Sequence, residues 1–367
     1  MAKNPTYALA ATTVLAGILA AEPAFAFHAG SPDFDPNGVY TYFDIGYVEG
    51  PSITVNGFAF ELPRGTLRNP LESFKVDTNG MRAAAGIDLG PLFRDAFGGL
   101  GRSVLHSLVL EADIVDVEGR ASFTGNERVR LANFGVPGVG ENPGFFVGWP
   151  TDYKSRAEIG VTQWGTKLEA VFNPFATFGK GLPGDPDALA FSFVAGLHYS
   201  YTDTEIGHSA RFMTPIFPNP RTMVRYYSTI EEHAFTPYAG IVLNGAVNLD
   251  PVRVTYDFGG RIGPSFVNAD LRDSLFSTGL ANVQQHIGVE TDDTLTYGSL
   301  SGSIGIENGP VRLALTGNAD YGKFRDTELF RRDTVQVSPG NFQAVPTEIR
   351  LQEEWTYGFG VKLSTRF

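Results

Sequence analysis

The C-terminal segment EEWTYGFGVKLSTRF alternates between two kinds of residue up to the final phenylalanine. Counting back in twos from Phe367, one side is mostly apolar or aromatic and the other side is polar or small. A two-residue period of this kind is typical of a β-strand with one face in an apolar environment. The chain is therefore predicted to end in a half-buried strand.

The same period recurs along most of the chain. In the segment LAFSFVAGLHYSYTD, which begins at Leu189, it continues well beyond the five or six residues of an average strand. A transmembrane β-strand needs roughly 9 to 11 residues of such alternation. The predicted strands are Val39 to Val48, Gly80 to Leu89, Leu105 to Val117, Gly165 to Phe175, Ala188 to Asp203, Ala234 to Asn248, Val252 to Phe266, Tyr297 to Glu307, Val311 to Gly322 and Glu354 to Phe367.

The connections between these segments alternate between short and long, which is how outer-membrane barrels are connected. The fold predicted is all-β, a transmembrane antiparallel up-and-down β-barrel of about ten strands with short periplasmic turns and long extracellular loops. Twelve strands are the alternative if Ile53 to Glu61 or Tyr153 to Phe175 adds a pair. The long loops are expected after Glu49, Val117, Asp203, Val267 and Lys323.

Charged residues fall on one side of the alternation, which supports the barrel. A Lys or Arg that faces lipid at the bilayer midplane costs about 2 to 4 kcal/mol, so charges are expected to face the lumen. Aromatic residues are expected to ring the outer boundary at Tyr47, Tyr199, Tyr201, Phe235, Phe266, Tyr321, Trp355 and Tyr357. The residues predicted to line the lumen are Asp44, Arg82, Glu111, Asp113, Glu169, His198, Arg253, Asp257, Arg261, Arg312, Asp320 and Lys362.

The N-terminal residues 1–26 have the features of a secretory signal peptide. Lys3 precedes an uncharged run from Ala8 to Ala21, and Ala24-Phe25-Ala26 offers small residues at a cleavage site. A helical anchor is the alternative, but the run is shorter than the roughly 18 to 20 residues that span a bilayer. The expected organisation is a cleaved signal peptide at 1–26 and a single barrel domain at 27–367.

Composition narrows the possible chemistry. The chain has no cysteine, which excludes a disulfide framework and thiol catalysis. Its net charge of -12 disfavours nucleic acid as a partner. The sequence also contains no Gly-rich phosphate loop and no Cys/His set with metal-binding spacing, so neither a metal site nor a cofactor is predicted.

With its signal peptide and alternating strands, the chain resembles bacterial outer-membrane β-barrel proteins, whose last strand ends in Phe with apolar residues at alternate positions before it. The resemblance implies a location in the outer membrane of a Gram-negative bacterium, in contact with outer-membrane lipid and lipopolysaccharide. It also implies that Phe367, Phe359 and Tyr357 form the signal read by the outer-membrane assembly machinery.

The residues predicted to face inward are compatible with two functions. Small inward residues such as Gly196 and Ser301 leave room in a barrel of this size, and Arg253, Asp257 and Arg261 would form a ladder of charges along the axis. This favours a narrow porin-like channel for small polar solutes. Alternatively, the glycines relieve crowding and the charges neutralise one another, giving a structural or surface-contact barrel without transport.

A second alternative is an outer-membrane lipid hydrolase. The fragments TPYAGIVL, GGRIGPSF and VQQHIG are similar to segments of outer-membrane lipid A deacylases, and the resemblance implies that His286 is a catalytic base. The Asn- and Asp-rich N-terminal motif of that family is absent. A separate combination of His198, Ser192 and Ser200 on one inward face supplies part of a hydrolase triad. The prediction retained is a barrel that is not an enzyme.

Overall fold

In the computed structural model of the protein, the described residues are 40–56, 59–62, 65–68, 74–89, 105–132, 147–172, 189–213, 222–249, 251–278, 283–309, 311–330, 335–338, 341–343 and 348–366. The expected signal peptide and Phe367 lie outside these residues, so both remain predictions. The described part of the chain contains no helix long and apolar enough to cross a membrane.

Fourteen strands make up the described structure. They are β1 (Tyr40–Asn56), β2 (Ala59–Leu62), β3 (Gly65–Arg68), β4 (Phe74–Asp88), β5 (Leu105–Ala132), β6 (Val147–Phe172), β7 (Leu189–Met213), β8 (Thr222–Leu249), β9 (Val252–Thr278), β10 (Val283–Asn308), β11 (Val311–Phe330), β12 (Val335–Ser338), β13 (Asn341–Gln343) and β14 (Glu348–Arg366).

Ten of these strands form a closed antiparallel barrel, which confirms the predicted fold. The long strands β1, β4 to β11 and β14 each pair with the next in sequence, and β14 pairs back onto β1 from Tyr40↔Arg366 to Val48↔Gly358. The twelve-strand alternative is wrong, because β2 and β3 form a short hairpin attached to the end of β5 through Thr66↔Ala132. The β12–β13 pair is a separate two-stranded sheet.

The predicted sidedness of the wall is also confirmed. Large apolar side chains point away from the barrel on every strand of its lower part, where they are 40% exposed or more. They include Ile45, Met81, Leu110, Leu168, Phe193, Leu197, Ile241, Phe258, Ile262, Leu300, Ile304, Leu313, Leu315, Phe359, Val361 and Leu363. We call this part of the wall the membrane belt. Its outer boundary is the row of aromatic residues Tyr199, Phe235 and Phe266, which are cross-strand neighbours.

Beyond that row the strands continue, where the sequence had suggested long loops. β7 runs on from Tyr201 to Met213, and β5, β6, β8, β9 and β10 extend similarly on the side assigned to the cell exterior. The expectation of loops beginning after Val117, Asp203 and Val267 is therefore wrong. Twelve residues at about 3.3 Å each carry the wall about 40 Å further along the strand direction. We call this part the extracellular extension.

The wall changes its pairing where β1 and β11 enter the extension. After an irregularity between Glu49 and Ser52, β1 leaves β14 and pairs in parallel with β11, from Ile53↔Thr327 onward. The β10–β11 ladder ends at Gly298↔Tyr321, and the next residue of β11, Gly322, has a φ of 67°, which favours glycine. The loops expected after Glu49 and Lys323 are thus also strand.

Candidate functional site

The interior of the extension contains one apolar core, beside which polar side chains such as Gln163, Thr204 and Ser228 are also buried. Every strand of the barrel contributes to it, and each member is at most 8% exposed. The members are Val48, Ile53, Val76, Val115, Val117, Ala157, Ile159, Val161, Ile206, Ile230, Ala234, Val267, Ala269, Leu271, Leu295, Phe324, Ile349 and Leu351. Ile206, Ile230 and Leu271 have no surface accessible to water, so no watered passage runs beside them. The described side chains of the apolar core are therefore packed closely together at this level.

Below the apolar core, the membrane belt encloses a polar chamber of about 240 Å³. Its lining includes the carboxylates of Asp44, Glu111, Asp113, Glu169, Asp257 and Asp320, and the cationic groups of Arg82, Lys167, Arg261, Lys323 and Lys362.

Ten of the twelve residues predicted to line the lumen border this chamber, among them His198. The other two are Arg312, which bonds to the chamber carboxylate of Asp257, and Arg253, which lies opposite Glu307 near the periplasmic end. Sequence reasoning missed Lys323, because it was assigned to a loop. It also passed over the inward tyrosines Tyr42 and Tyr297, although both share the parity of the charged positions on their strands.

Arg261 is held by the carboxylate of Glu169 across the lumen. Its Nε donates to Glu169 Oε2 at 2.6 Å and its Nη2 to Oε1 at 2.8 Å, while Nη1 donates to Ser301 Oγ at 2.9 Å. The Tyr238 hydroxyl donates to the same carboxylate at 2.9 Å. Such a two-point contact fixes the guanidinium, so Arg261 is a braced partner and not a free charge beside a solute path.

Arg312 and Asp257 form a second pair nearer the periplasm. Arg312 Nη2 lies 3.2 Å from Asp257 Oδ2 and 2.7 Å from Ser303 Oγ, and its Nε donates to Thr255 Oγ1 at 2.6 Å. Ser303 also donates to Asp257. Asp257 therefore forms hydrogen bonds with residues of the neighbouring strands β10 and β11. It does not form the predicted ladder of charges along the barrel axis with Arg261.

Glu111 forms a third network with two cations and a tyrosine. Its Oε1 lies 3.1 Å from Lys167 Nζ and 3.5 Å from Arg82 Nη2, and its Oε2 accepts a hydrogen bond from the Tyr42 hydroxyl. The ammonium of Lys362 lies 3.7 Å from the centroid of the Tyr42 ring, a cation–π distance. Glu111 thus has two cationic partners, and Tyr42 links it to Lys362.

Asp113 lies beside Glu111 and also meets several partners. Its carboxylate lies 3.4 Å from Lys323 Nζ, 3.9 Å from Arg82 Nε and 3.8 Å from His198 Nε2. With Arg312 included, six carboxylates face six Lys or Arg side chains around the chamber. The net charge of the chamber lining is therefore close to zero when His198 is not counted.

A buried ion pair marks the passage from the polar chamber to the apolar core. Arg325 Nη1 donates to Glu232 Oε2 at 3.0 Å and Nη2 to Ser265 Oγ at 3.0 Å, and Ser265 shares a hydrogen bond of 2.8 Å with Thr236. Both charged side chains are about 5% exposed or less. Removing one member would leave the other charge buried without its partner.

The residues proposed for a hydrolase do not meet at the lipid-facing surface. His198 and Ser200 are buried on the inner side of the wall, and Ser192 has no accessible surface. His286 lies in β10 opposite Ser274 in the strand register, and its side chain is outside the described part of the structure. Among the described residues, no group of three or more His, Cys, Asp or Glu side chains is arranged to hold a metal ion.

Comparisons with known proteins identify no family for this chain. No protein-family model matches the chain, and no curated protein matches it. Among solved structures, the outer membrane protease OmpT from Escherichia coli is 12% identical with a TM-score of 0.45, covering 94% of this chain and 99% of its own. The transport unit of the E. coli autotransporter AIDA-I is 8% identical with a TM-score of 0.27, and each chain is covered completely.

The P. putida toluene transporter TodX is 8% identical to this chain, with a TM-score of 0.16 and 91% of each chain covered. These three solved structures match the protein only at low TM-scores. At such identities they assign it no activity, substrate or partner.

Proposed function

We propose that this protein is a closed outer-membrane barrel that acts through its extracellular surface and does not pass solutes through its lumen. The apolar core of the extension carries this proposal, because its side chains meet across the whole lumen. An ion or polar solute crossing it would give up most of its water where only a few polar side chains, such as Thr204 and Ser228, could replace it, which is unfavourable. Hydrophobic constrictions of this kind exclude water from a pore.

The extension also supplies a rigid surface outside the membrane. Six consecutive strands, β5 to β10, stay paired far beyond the aromatic row, as in Asp152↔Met213 and Val283↔Ser277. Their outward faces are polar, with Glu118, Glu205 and Asp270 as examples. A barrel of this kind presents its extracellular segments on a fixed frame, which supports the surface-contact alternative over the porin-like one.

The location and the assembly route belong to the same proposal. Residues 1–26 would direct export, and Phe367, Phe359 and Tyr357 would be read by the assembly machinery of a Gram-negative outer membrane. Deletion of Phe367 is then expected to lower the outer-membrane level of the protein while the refolded barrel keeps its heat-modifiable mobility. Normal membrane levels of the deletion variant would refute the assembly role.

Conductance in planar bilayers tests the closed lumen. The refolded wild type is expected to add no current above the bare bilayer. A variant with Ile206→Ser, Leu271→Ser and Phe324→Ser, which hydrates the apolar core, is expected to conduct if it retains heat-modifiable mobility. The matched control carries serine at the outward positions Leu300, Leu313 and Leu315. Wild-type single-channel openings would contradict the proposal.

The polar chamber is the observation that favours a narrow channel as the second candidate. It is lined by charged groups of both signs and has room for water, which suits the passage of polar solutes. If the core opens in the membrane, the same recording would show steps of current, and Arg261→Glu would shift their ion selectivity. With the core closed, the chamber instead braces the wall through its ion pairs.

A further inference from the structure

Strand β10 loses one of its two neighbours where it enters the extracellular extension. In the membrane belt it pairs with β9 on one side and with β11 on the other, but the ladder with β11 ends at Gly298↔Tyr321. Beyond Gly322, β11 pairs with β14 and β1 instead. Residues 283–297 of β10 therefore have a strand partner on only one side among the described residues. We call the other side the free edge of β10.

The backbone groups on the free edge identify which residues it presents. Thr294 N–H donates to the Asp293 carboxylate at 2.7 Å, and Thr296 N–H donates to Glu353 Oε1 of β14 at 3.0 Å. Both amides thus point away from β9 and are bonded to side chains rather than to a strand. Because backbone groups alternate between the two edges of a strand, those of the even-numbered residues in 288–292 lie on the free edge as well.

The burial of the inward side chains shows that water reaches the wall beside β10. Val267 and Leu271 of β9 point inward and are buried in the apolar core. Their register partners on β10 share this direction, yet Asp293, opposite Val267, is exposed, and Val289, opposite Leu271, is only partly buried. This is the burial expected of a strand that is covered on one side only. The free edge is therefore accessible from the exterior.

The side chains along the free edge are acidic. Glu290 and Asp292 are exposed on the outer face of β10, and Asp293 and Glu353 lie at its inner side and across the gap. The hydrogen bonds of these four carboxylates come from amide groups, and within the described part of the chain none of them forms an ion pair with Lys or Arg. In contrast, carboxylates of β8 and β9 share Arg272. The free edge thus combines unpaired backbone groups with uncompensated negative charge.

We propose that the free edge of β10 binds an extended segment of a partner protein that carries Lys or Arg at alternate positions. A strand edge with unpaired backbone groups is a template for another chain, and the segment adds as a strand along residues 288–294. Its basic side chains lie on the outer face beside Glu290 and Asp292, where opposite charges on adjacent strands attract. This inference rests on the proposed function, because it names the kind of partner that the extracellular surface contacts.

Fluorescence anisotropy of the refolded barrel in detergent tests this inference with a labelled peptide of four Lys-Thr repeats as the probe. The wild type is expected to bind the peptide saturably, and about tenfold or more tightly than a peptide of Glu-Thr repeats. A Lys-Thr peptide methylated at every backbone nitrogen keeps its charge but cannot donate hydrogen bonds to a strand. It should also bind about tenfold or more weakly.

Charge variants of the barrel locate the bound peptide. Glu290→Gln with Asp292→Asn keeps the shape of both side chains, removes two charges from the free edge and should weaken the affinity about tenfold. The matched control is Asp116→Asn with Glu118→Gln on β5, which is paired on both sides, and it should leave the affinity unchanged. Both variants should keep the heat-modifiable mobility of the wild type, which separates lost binding from lost folding.

The other outcomes overturn the inference. Equal binding of the methylated peptide would mean that charge attracts it without strand addition, and equal losses in the two variants would place it elsewhere. A dimeric barrel that the peptide does not dissociate would make a second copy the occupant. Conductance distinguishes this inference from the proposed function. A silent barrel that binds no peptide contradicts the inference alone, whereas wild-type single-channel openings contradict the proposed function whatever the peptide does.

Discussion

The membrane belt and the extracellular extension are formed by the same strands, but their inner and outer faces have opposite polarity. In the belt, β7 turns Leu197 and Tyr199 outward and His198 inward, whereas in the extension it turns Asp203 and Glu205 outward and Ile206 inward. The strand keeps its two-residue period while the apolar residues change face. Each half thus places its apolar face against an apolar environment, lipid in one case and protein in the other.

This difference changes what stabilises each half. Water surrounds the extension, so burying side chains such as Ile206, Ile230 and Leu271 contributes about 1.5 to 3 kcal/mol each. The interior of the belt gains little from hydrophobic burial, and its polar groups depend on pairing, as between Arg261 and Glu169. Paired charges offset their own desolvation and fix the arrangement of the wall, but they add little net stability.

The largest expected effect is on the buried ion pair between the two halves. Glu232→Ala leaves Arg325 without its carboxylate inside the barrel and should lower the free energy of unfolding by about 3 to 5 kcal/mol. The adjacent Glu231 faces water and pairs with Arg272 at 3.5 Å. Glu231→Ala should cost about 0 to 1 kcal/mol. Urea titration in lipid vesicles compares the two, and equal losses would mean that Glu232 is not buried.

Placing a charge on the outer face tests where the membrane belt ends. Leu315 is 64% exposed in the belt, so Leu315→Arg should cost about 2 to 4 kcal/mol near the midplane. Thr229 lies on the outer face of the extension between Glu205 and Arg272, and Thr229→Arg should change stability by about 0.5 kcal/mol or less. The same urea titration provides the measurement. A large loss for the Thr229 variant would place that residue in lipid.

The smallest expected effect is a pH dependence in the extension. Partial burial, with repulsion from Glu205 and Glu231, raises the pKa of Asp203. The folded state then holds the proton more tightly than the unfolded state, so this contribution is present at low pH and is lost as the pH rises through the raised pKa. Asp203→Asn should remove that loss and be slightly more stable at neutral pH. Titrations at acid and neutral pH check this, and identical differences between variant and wild type at both would contradict it.

The sequence predicted the barrel because the alternation in segments such as Leu189–Tyr201 is local. The predicted directions of two side chains, outward for Leu315 and inward for Arg261, follow from the same alternation and are correct. The expected loops after Val117, Asp203 and Val267 were wrong, because the change of polar face at those points looks like the end of a strand. Only the register shows that β7 continues to Met213.

The packing inside the extension could not be predicted in this way. Ile53, Ile206 and Phe324 pack in one core although they are far apart in sequence, and β1 reaches β11 by a parallel pairing that no local pattern indicates. The pairing of Glu169 with Arg261 also depends on contacts across the barrel. The position of a charged residue in the alternating pattern predicts that its side chain faces the lumen, but it does not indicate which residue that side chain pairs with.

Labelling of single cysteines tests the exchanged faces most directly, since the native chain has no cysteine. Thr229 and Ile230 are neighbours on β8, one outward and one in the apolar core. In the folded barrel in vesicles, Thr229→Cys should react promptly with a membrane-impermeant maleimide, and Ile230→Cys should stay unlabelled until urea unfolds the protein. Reaction of Ile230→Cys at the rate of Thr229→Cys would show a watered interior at this level and contradict the closed lumen.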